Sequence, residues 1–279
     1  MKESLPIALG AGLGAAACFG IATAVQHVEA GRVVRRGPLN PRLLGELARR
    51  RLWLLSFVAE GLAIGLQALG LRFGPVALVQ SLIVGGLPVA VVLSVLLGAR
   101  RLTGRAIAGL VLCSVGIAVF ALVQPAATVA AGIPGVRRTL VAGAAGALVV
   151  VVLLRLGRTG RAGGAAAGAA AGVAIGAGSV LLAVCAGQID RPAHLLGSWP
   201  PYALVAIGLV GLVLAQSAFQ TGALGPPLAS LTVVEPATAV VLAAVLLDQP
   251  LPAGALELVL AGCAAVLATV GVVLLAGPD

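Results

Sequence analysis

The hydrophobic positions of the chain form long, nearly uninterrupted runs, separated by short segments rich in Arg, Pro and Gly. A membrane-spanning helix needs about 20 mostly apolar residues to cross roughly 30 Å of hydrocarbon. The runs of this length cover residues 5–26, 52–72, 75–98, 105–124, 138–156, 164–187, 200–221, 225–247 and 253–277. Because backbone polar groups in lipid must be satisfied within the segment, each run is predicted to be a helix. The predicted fold is an all-α polytopic membrane protein with nine transmembrane helices.

The composition excludes several other classes of protein. Of the 279 residues, 60% are hydrophobic and only 10% are charged, whereas a soluble domain carries about 25% charged residues. The hydrophobic fraction excludes a disordered chain, and the four widely spaced Cys, each inside an apolar run, exclude a disulfide scaffold. Lys2 and the first apolar run resemble a signal peptide, but no clear cleavage site follows, so a first span is the better interpretation.

The 18 basic residues are distributed unequally among the loops. If the runs cross the membrane alternately, one side carries Arg32, Arg35, Arg36, Arg42, Arg49, Arg50, Arg51, Arg100, Arg101, Arg105, Arg155, Arg158 and Arg161. The other side carries only Lys2, Arg72, Arg137, Arg138 and Arg191. The positive-inside rule then predicts a multi-pass protein of the cell (plasma) membrane, with its N-terminus outside and its C-terminus in the cytoplasm. The net charge of +9 is thus explained by topology, and no nucleic-acid partner is expected.

The first loop ends in three consecutive arginines, Arg49, Arg50 and Arg51. At the level of the headgroups these side chains are expected to bind anionic membrane lipids. A plain topological signal is the alternative interpretation of the same cluster.

Two stretches of the chain, 66–105 and 215–254, share a pattern at an offset of 149 residues. The matching pairs are Gln67 and Gln216, Ser81 and Ser230, Leu82 and Leu231, Val84 and Val233, and Leu102 and Leu251, while Pro88 and Pro236 miss by one position. Each copy is predicted to contain a helix, a Gly-Pro turn, a proline-broken helix, a short loop and a further helix. Gly20 and Thr23 match Gly176 and Ser179 at a slightly different offset, which extends the repeat to the first span.

The repeat divides the chain into three parts. Residues 1–137 form a first repeat of four spans with a basic cytoplasmic loop at 28–51, residues 138–163 a linking helix and loop, and residues 164–279 a second repeat of four spans. Because five helices precede the second copy, it enters the membrane from the opposite side. Inverted-topology repeats are typical of alternating-access transporters, whose site lies near the midplane between the halves.

The two copies resemble a known family. The segments GPVALVQSLIVGGLPVAVVLSVLLGARRLTGRAIAGLVLCSVGIAV and GPPLASLTVVEPATAVVLAAVLLDQPLPAGALELVLAGCAAVLATVGVVLL are similar to the two EamA-type units of the drug/metabolite transporter superfamily. That family usually has ten helices, five in each half, whereas nine helices are similar to the NIPA-type magnesium transporter branch. The resemblance implies a permease. It also implies an acid on the second helix near Ile64, and this chain has Glu60 one turn earlier.

Polar residues inside the predicted spans are candidates for function, because an ionisable group near the bilayer centre costs several kcal/mol. Glu60 lies near the centre of the second span and Glu235 near the centre of the eighth. Ser56, Glu60 and Gln67 are expected to share one helix face, and Thr232, Glu235 and Thr238 another. Burial favours the protonated form of a carboxyl group, so both acids are candidate proton carriers.

The prolines and glutamines add neutral hydrogen-bonding groups to this set. Pro236 lacks the N–H that the carbonyl of Thr232 would accept, and Pro88 does the same for Val84. The candidate residues for substrate binding or coupling are Glu60, Glu235, Gln67, Gln216, Thr232 and Gln80. Glu60 and Glu235 would be the metal ligands if the chain transports a cation. Alternatively, these groups only form hydrogen bonds between helices and hold the bundle together.

Glycines recur at every fourth position in two predicted helices. They are Gly164, Gly168, Gly172 and Gly176 in the sixth span, and Gly61 and Gly65 in the second. Small residues at this spacing let helices approach closely, so helix packing is predicted rather than a sliding interface.

The residues favour a secondary transporter of a small organic solute, with a proton as a candidate coupling ion. A divalent-cation (magnesium) transporter of NIPA type is the alternative, and an amphipathic or lipid-linked substrate is also open. An enzyme is not expected, because the chain lacks HExxH, GxSxG and a Cys/His cluster. No cofactor is expected, and a homodimer is left open.

Overall fold

A computed structural model describes residues 4–31, 49–98, 103–124, 132–157, 163–219 and 225–276. Every regular element within these ranges is an α-helix. In chain order the helices are α1 (Ser4–Gly31), α2 (Arg51–Phe73), α3 (Val76–Val84), α4 (Gly86–Leu96), α5 (Gly104–Leu122), α6 (Val136–Gly157), α7 (Gly163–Gly187), α8 (Pro192–Leu196), α9 (Pro200–Phe219), α10 (Gly225–Leu247) and α11 (Ala255–Ala276).

Eight helical segments of the described ranges are long and apolar enough to cross a membrane. They lie in α1, α2, the combined α3 and α4, α5, α6, α7, α10 and α11. The apolar part of α9, Pro200–Ala215, is shorter. The all-helical fold agrees with the prediction and is consistent with a polytopic membrane protein, whereas the count of nine spans stays a prediction.

The first helix is longer than predicted. It continues to Gly31, so the expected basic loop at 28–51 begins later. Glu29 is buried, and its carboxylate pairs with the Arg50 guanidinium immediately before α2. The ion pair lets the helix continue beyond the apolar run, because the buried charge is neutralised. Arg50 therefore has a protein partner, while its predicted binding to lipid, together with that of Arg49 and Arg51, stays a prediction.

The two repeat prolines have different effects on their helices. The third span is interrupted at Gly85, whose N–H donates to the Leu82 carbonyl over 2.9 Å, a tightened turn three residues before Pro88. In contrast, α10 continues through Pro236. The predicted break is therefore wrong for the second copy. Neighbouring helices can support a proline-containing span in a membrane, and α10 packs closely against α7.

Helix α7 occupies the centre of the bundle, where it packs against α10, α9, α6 and α2. Gly168, Gly172 and Gly176 line its contact with α10. A methyl group on Gly168 would collide with the Pro227 carbonyl oxygen, and one on Gly176 with that of Glu235. The glycine spacing of α7 thus serves close packing, as predicted.

The same expectation is wrong for α2. A Cβ atom added to Gly61 or Gly65 would meet no heavy atom of the described residues within 4 Å. The spacing is shared with α7, but these two glycines lie on the exposed surface of α2, beside Leu62 and Ile64. Spacing alone does not determine which face of a helix a neighbour covers.

We expect Gly176→Ala to lower the thermal stability of the protein, because its Cβ has no room beside the Glu235 backbone. Overpacking of this kind costs about 1–3 kcal/mol. Gly65→Ala is the matched control, and it should leave the melting temperature unchanged or raise it, since Ala favours a helix over Gly by about 0.5–1 kcal/mol. Thermal unfolding in detergent measures both variants, and equal shifts would contradict the packing assignment.

Candidate functional site

A cavity of about 340 Å³ lies between α3, α5, α10 and α11. Its walls include Ser81 and Val84 of α3, Phe120 of α5, and Thr232, Val233 and Pro236 of α10, together with Thr269 of α11. Two of these helices belong to the first predicted repeat and two to the second. The cavity therefore lies between the parts of the chain that the sequence pattern relates to each other.

The polar side chains of this cavity are the hydroxyls of Ser81, Thr232 and Thr269. The Ser81 hydroxyl donates to the Leu78 carbonyl over 2.7 Å, and that of Thr232 to the Leu228 carbonyl over 2.8 Å. Each hydroxyl oxygen keeps lone pairs that can accept a hydrogen bond. The carbonyl of Thr232 also lacks the N–H that a residue other than Pro236 would supply. Among the described residues lining the cavity, none carries a charge.

A second, larger cleft of about 1380 Å³ is lined by α6, α7, α9 and α10. Arg137, Arg138 and Trp199 lie at one end, and the rest of the lining is mostly aliphatic, with Thr139 and Thr238 as the hydroxyl-bearing exceptions. Arg138 forms an ion pair with Asp248 at 3.0 Å, just beyond the end of α10. The sequence carries one signal for this cleft, the two adjacent arginines at the start of an apolar helix, which the positive-inside rule attributes to topology alone.

Thr232 and Thr238 do not share a helix face, contrary to expectation. Thr232 lines the small cavity, whereas Thr238 lines the larger cleft. Six residues of an α-helix turn through 600°, which leaves the two side chains about 120° apart. Glu235 lies between them in sequence, and its backbone contacts Gly172 and Gly176 of α7.

The two candidate carboxyl groups are not brought into one cavity. Both Glu60 and Glu235 are half-buried, and neither is among the lining residues of the two cavities. Helix α2 packs against α1 and α7, and α10 packs against α7, α3 and α11, so α7 lies between them. Glu235 is adjacent to the small cavity through its neighbour Pro236, whereas Glu60 shares the inward face of α2 with Ser56 and Gln67.

The glutamines have different environments. Gln67 is buried, and its Nε2 donates to the Ser179 hydroxyl of α7 over 3.2 Å. Gln80 is also buried, and its Nε2 has no hydrogen-bond partner within the described part of the chain. The side chain of Gln216 lies outside the described residues. For Gln67 the structure therefore favours a hydrogen bond between helices over substrate binding.

The described ranges contain no cluster of three or more His, Cys, Asp or Glu side chains able to hold a metal ion. The carboxyl groups that the magnesium alternative would use, Glu60 and Glu235, lie on helices separated by α7.

No protein-family model, no curated protein and no solved structure matches this chain. The similarity to EamA-type units therefore stays a prediction, and the function has to be inferred from the geometry of the chain itself.

The bond between Gln67 and Ser179 predicts a measurable coupling energy. We expect Gln67→Leu and Ser179→Ala to be non-additive in a double-mutant cycle, with a coupling of about 0.6 kcal/mol, the average for hydrogen bonds between membrane helices. Unfolding in mixed micelles measures each variant. Strict additivity would show that the two side chains do not interact in the folded protein.

Proposed function

We propose that the chain is a secondary transporter that moves a small, uncharged organic solute by alternating access. The observation that carries this proposal is the 340 Å³ cavity between the two halves. Val84 and Val233, which correspond at the repeat offset of 149, both line it, and so do Phe120 and Thr269 at the same offset. A site near the midplane between related halves is what alternating access requires.

Matching helix contacts in the two halves support an internal repeat. A Cβ atom on Gly20 of α1 would meet the Gly86 carbonyl oxygen and the Val89 side chain, and one on Gly176 of α7 would meet the Glu235 carbonyl oxygen and Thr238. At the offset of 149, residue 86 corresponds to residue 235 and residue 89 to residue 238. The register between α1 and the third span thus recurs between α7 and α10.

The ends of the corresponding spans support the same repeat. Gly98, just after α4, and Asp248, just after α10, both have left-handed backbone conformations, with φ of 68° and 50°. Their separation is within one residue of the repeat offset. Glycine adopts this conformation freely, and aspartate tolerates it better than most residues.

The lining of the cavity indicates the substrate class. Hydroxyl and carbonyl oxygens can orient a solute, while the surrounding Val, Ile, Ala and Phe side chains exclude water. An ion would lose its hydration there without a compensating charge. Magnesium in particular is bound through carboxylates and retained waters in octahedral geometry, and no carboxylate lines this cavity. A neutral solute is therefore favoured over the magnesium alternative.

Glu235 is the candidate for proton coupling. Its backbone lies in the close contact between α7 and α10, and the next residue, Pro236, lines the cavity. A change in the charge of its carboxyl would alter the solvation of α10 next to the solute. Protonation could thereby be linked to a movement of α10, although Glu235 does not itself line the cavity.

The cavity and the coupling residue can be tested separately in proteoliposomes. We expect Val84→Trp or Val233→Trp to abolish the uptake of radiolabelled short polyols and amides, because either side chain fills the cavity. Glu235→Gln should instead retain solute exchange, but a pH gradient should no longer accelerate that exchange. The accompanying proton movement, measured with a trapped pH-sensitive dye, should be lost as well.

Val115→Trp is the matched control, since Val115 is exposed on α5 outside the cavity lining, and it should transport like the parent. Unchanged flux in Val84→Trp would disprove the cavity as the site. Proton-coupled flux in Glu235→Gln would show that Glu235 does not couple protons to transport. Mg²⁺ uptake that depends on Glu60 would favour magnesium over a neutral solute as the substrate.

Alternating access can be tested without knowing the substrate. In the repeat, Gln67 corresponds to Gln216 and Ser179 corresponds to Thr23. With the native cysteines replaced, a short bifunctional maleimide should link Gln67→Cys to Ser179→Cys in the conformation described here. In the opposite conformation it should link Thr23→Cys to Gln216→Cys.

Cross-linking the first pair should prevent cross-linking of the second, since the two contacts belong to different states. Thr23→Cys with Val210→Cys, about 9 Å further along α9, is the control and should not react. If the second pair never forms in membranes, the chain is a static bundle and the transport proposal fails.

A further inference from the structure

The larger cleft extends along one wall of the bundle. Within α6 its lining runs from Arg137 to Val151. At 1.5 Å per residue this stretch is about 21 Å long, which exceeds the roughly 15 Å depth of one hydrocarbon leaflet. Its volume of about 1380 Å³ is also larger than the 300–1,000 Å³ of typical small-molecule pockets. The shape therefore suits a long hydrocarbon chain better than a compact solute.

The two ends of the cleft differ in chemistry. The interior is mainly aliphatic, and Val173 and Leu181 of α7 and Val149 of α6 are among its lining residues. The mouth carries Arg137, Arg138 and Trp199, and Arg and Trp are typical of the membrane–water interface. The cleft thus presents a polar, cationic end to the headgroups and an apolar end to the hydrocarbon.

The charge at the mouth is positive. Arg138 is paired with Asp248 at 3.0 Å, so these two side chains neutralise each other. Arg137 is exposed, and no ion pair involves it within the described part of the chain. One uncompensated guanidinium therefore lies where the apolar cleft opens, and a guanidinium is well suited to a phosphate.

We propose that this cleft binds an anionic phospholipid, with its phosphate at Arg137 and an acyl chain along α6. The net charge of the mouth argues against a second copy of this chain as the occupant. Two parallel copies related by a twofold axis would bring their own Arg137 side chains to the same membrane depth in the same interface. This lipid site does not depend on the proposed transport function.

Native mass spectrometry of the detergent-solubilised chain tests the site. The protein is incubated with dioleoylphosphatidylglycerol or with dioleoylphosphatidylcholine, which have the same acyl chains but differ in net charge. We expect the anionic lipid to be retained about fivefold more strongly at this site, the effect of one arginine at a membrane surface. Arg137→Gln should remove this preference, because it weakens retention of the anionic lipid more than that of the zwitterionic lipid, whose choline offsets its phosphate.

Two matched controls locate the effect. Arg155→Gln removes a charge from the other end of α6 and should keep the preference. Ala145→Trp fills the cleft and should displace both lipids, whereas Ala144→Trp changes the neighbouring residue, which does not line the cleft, and should displace neither. In the Ala145→Trp background, Arg137→Gln should have no further effect, because both changes act at one site.

Three results would overturn the proposal. Equal retention of the two lipids by the parent protein would remove the headgroup preference. A preference that survives Arg137→Gln would place the charge contact elsewhere. A lipid-free dimer that disappears in Ala145→Trp would show that a second copy of the chain, rather than a lipid, occupies the cleft.

Discussion

The close approach of α7 and α10 is the contact on which the rest of the bundle depends. Apolar burial gives little driving force for helix association within lipid, so association relies on backbone proximity and van der Waals contact. Gly168, Gly172 and Gly176 permit that proximity, since each has backbone or side-chain atoms of α10 where a Cβ would lie. Helix α7 also supports α9, α6 and α2, so a displacement of α10 would propagate to most of the chain.

The contact with α7 also determines which residues of α10 face the small cavity and which face the larger cleft. With the Glu235 backbone held against α7, Thr232 and Pro236 line the small cavity and Thr238 the larger cleft. One helix therefore contributes to both cavities, on faces about 120° apart. Any rotation of α10 that reshapes the small cavity would also reshape the cleft beside α6.

The positions of the helices follow from the sequence, but their neighbours do not. Each predicted apolar run coincides with helix in the described residues, and eight of the helical segments are long and apolar enough to cross a membrane, because length and hydropathy decide whether a segment can cross lipid. The side that a residue faces is less predictable, since lipid-facing and core-facing positions are equally apolar. This explains why Gly61 and Gly65 have the spacing of a packing motif although they lie on the exposed face of α2. For the same reason the sequence does not determine whether Glu60 and Glu235 face one cavity, and in the structure α7 lies between their helices. Glu29 was missed because its partner, Arg50, lies 21 residues away.

Helix α6 is explained by membrane topology rather than by packing, and its surface can therefore serve a second purpose. If the two halves are inverted, an odd number of spans must precede the second, and α6 supplies the fifth crossing. That role needs only length and apolarity, which explains why α6 has no buried residue and packs mainly against α7. A soluble protein would be destabilised by such an exposed apolar helix, but lipid solvates it. Its surface is therefore available to form one wall of a cleft, with Arg137 and Arg138 at one end.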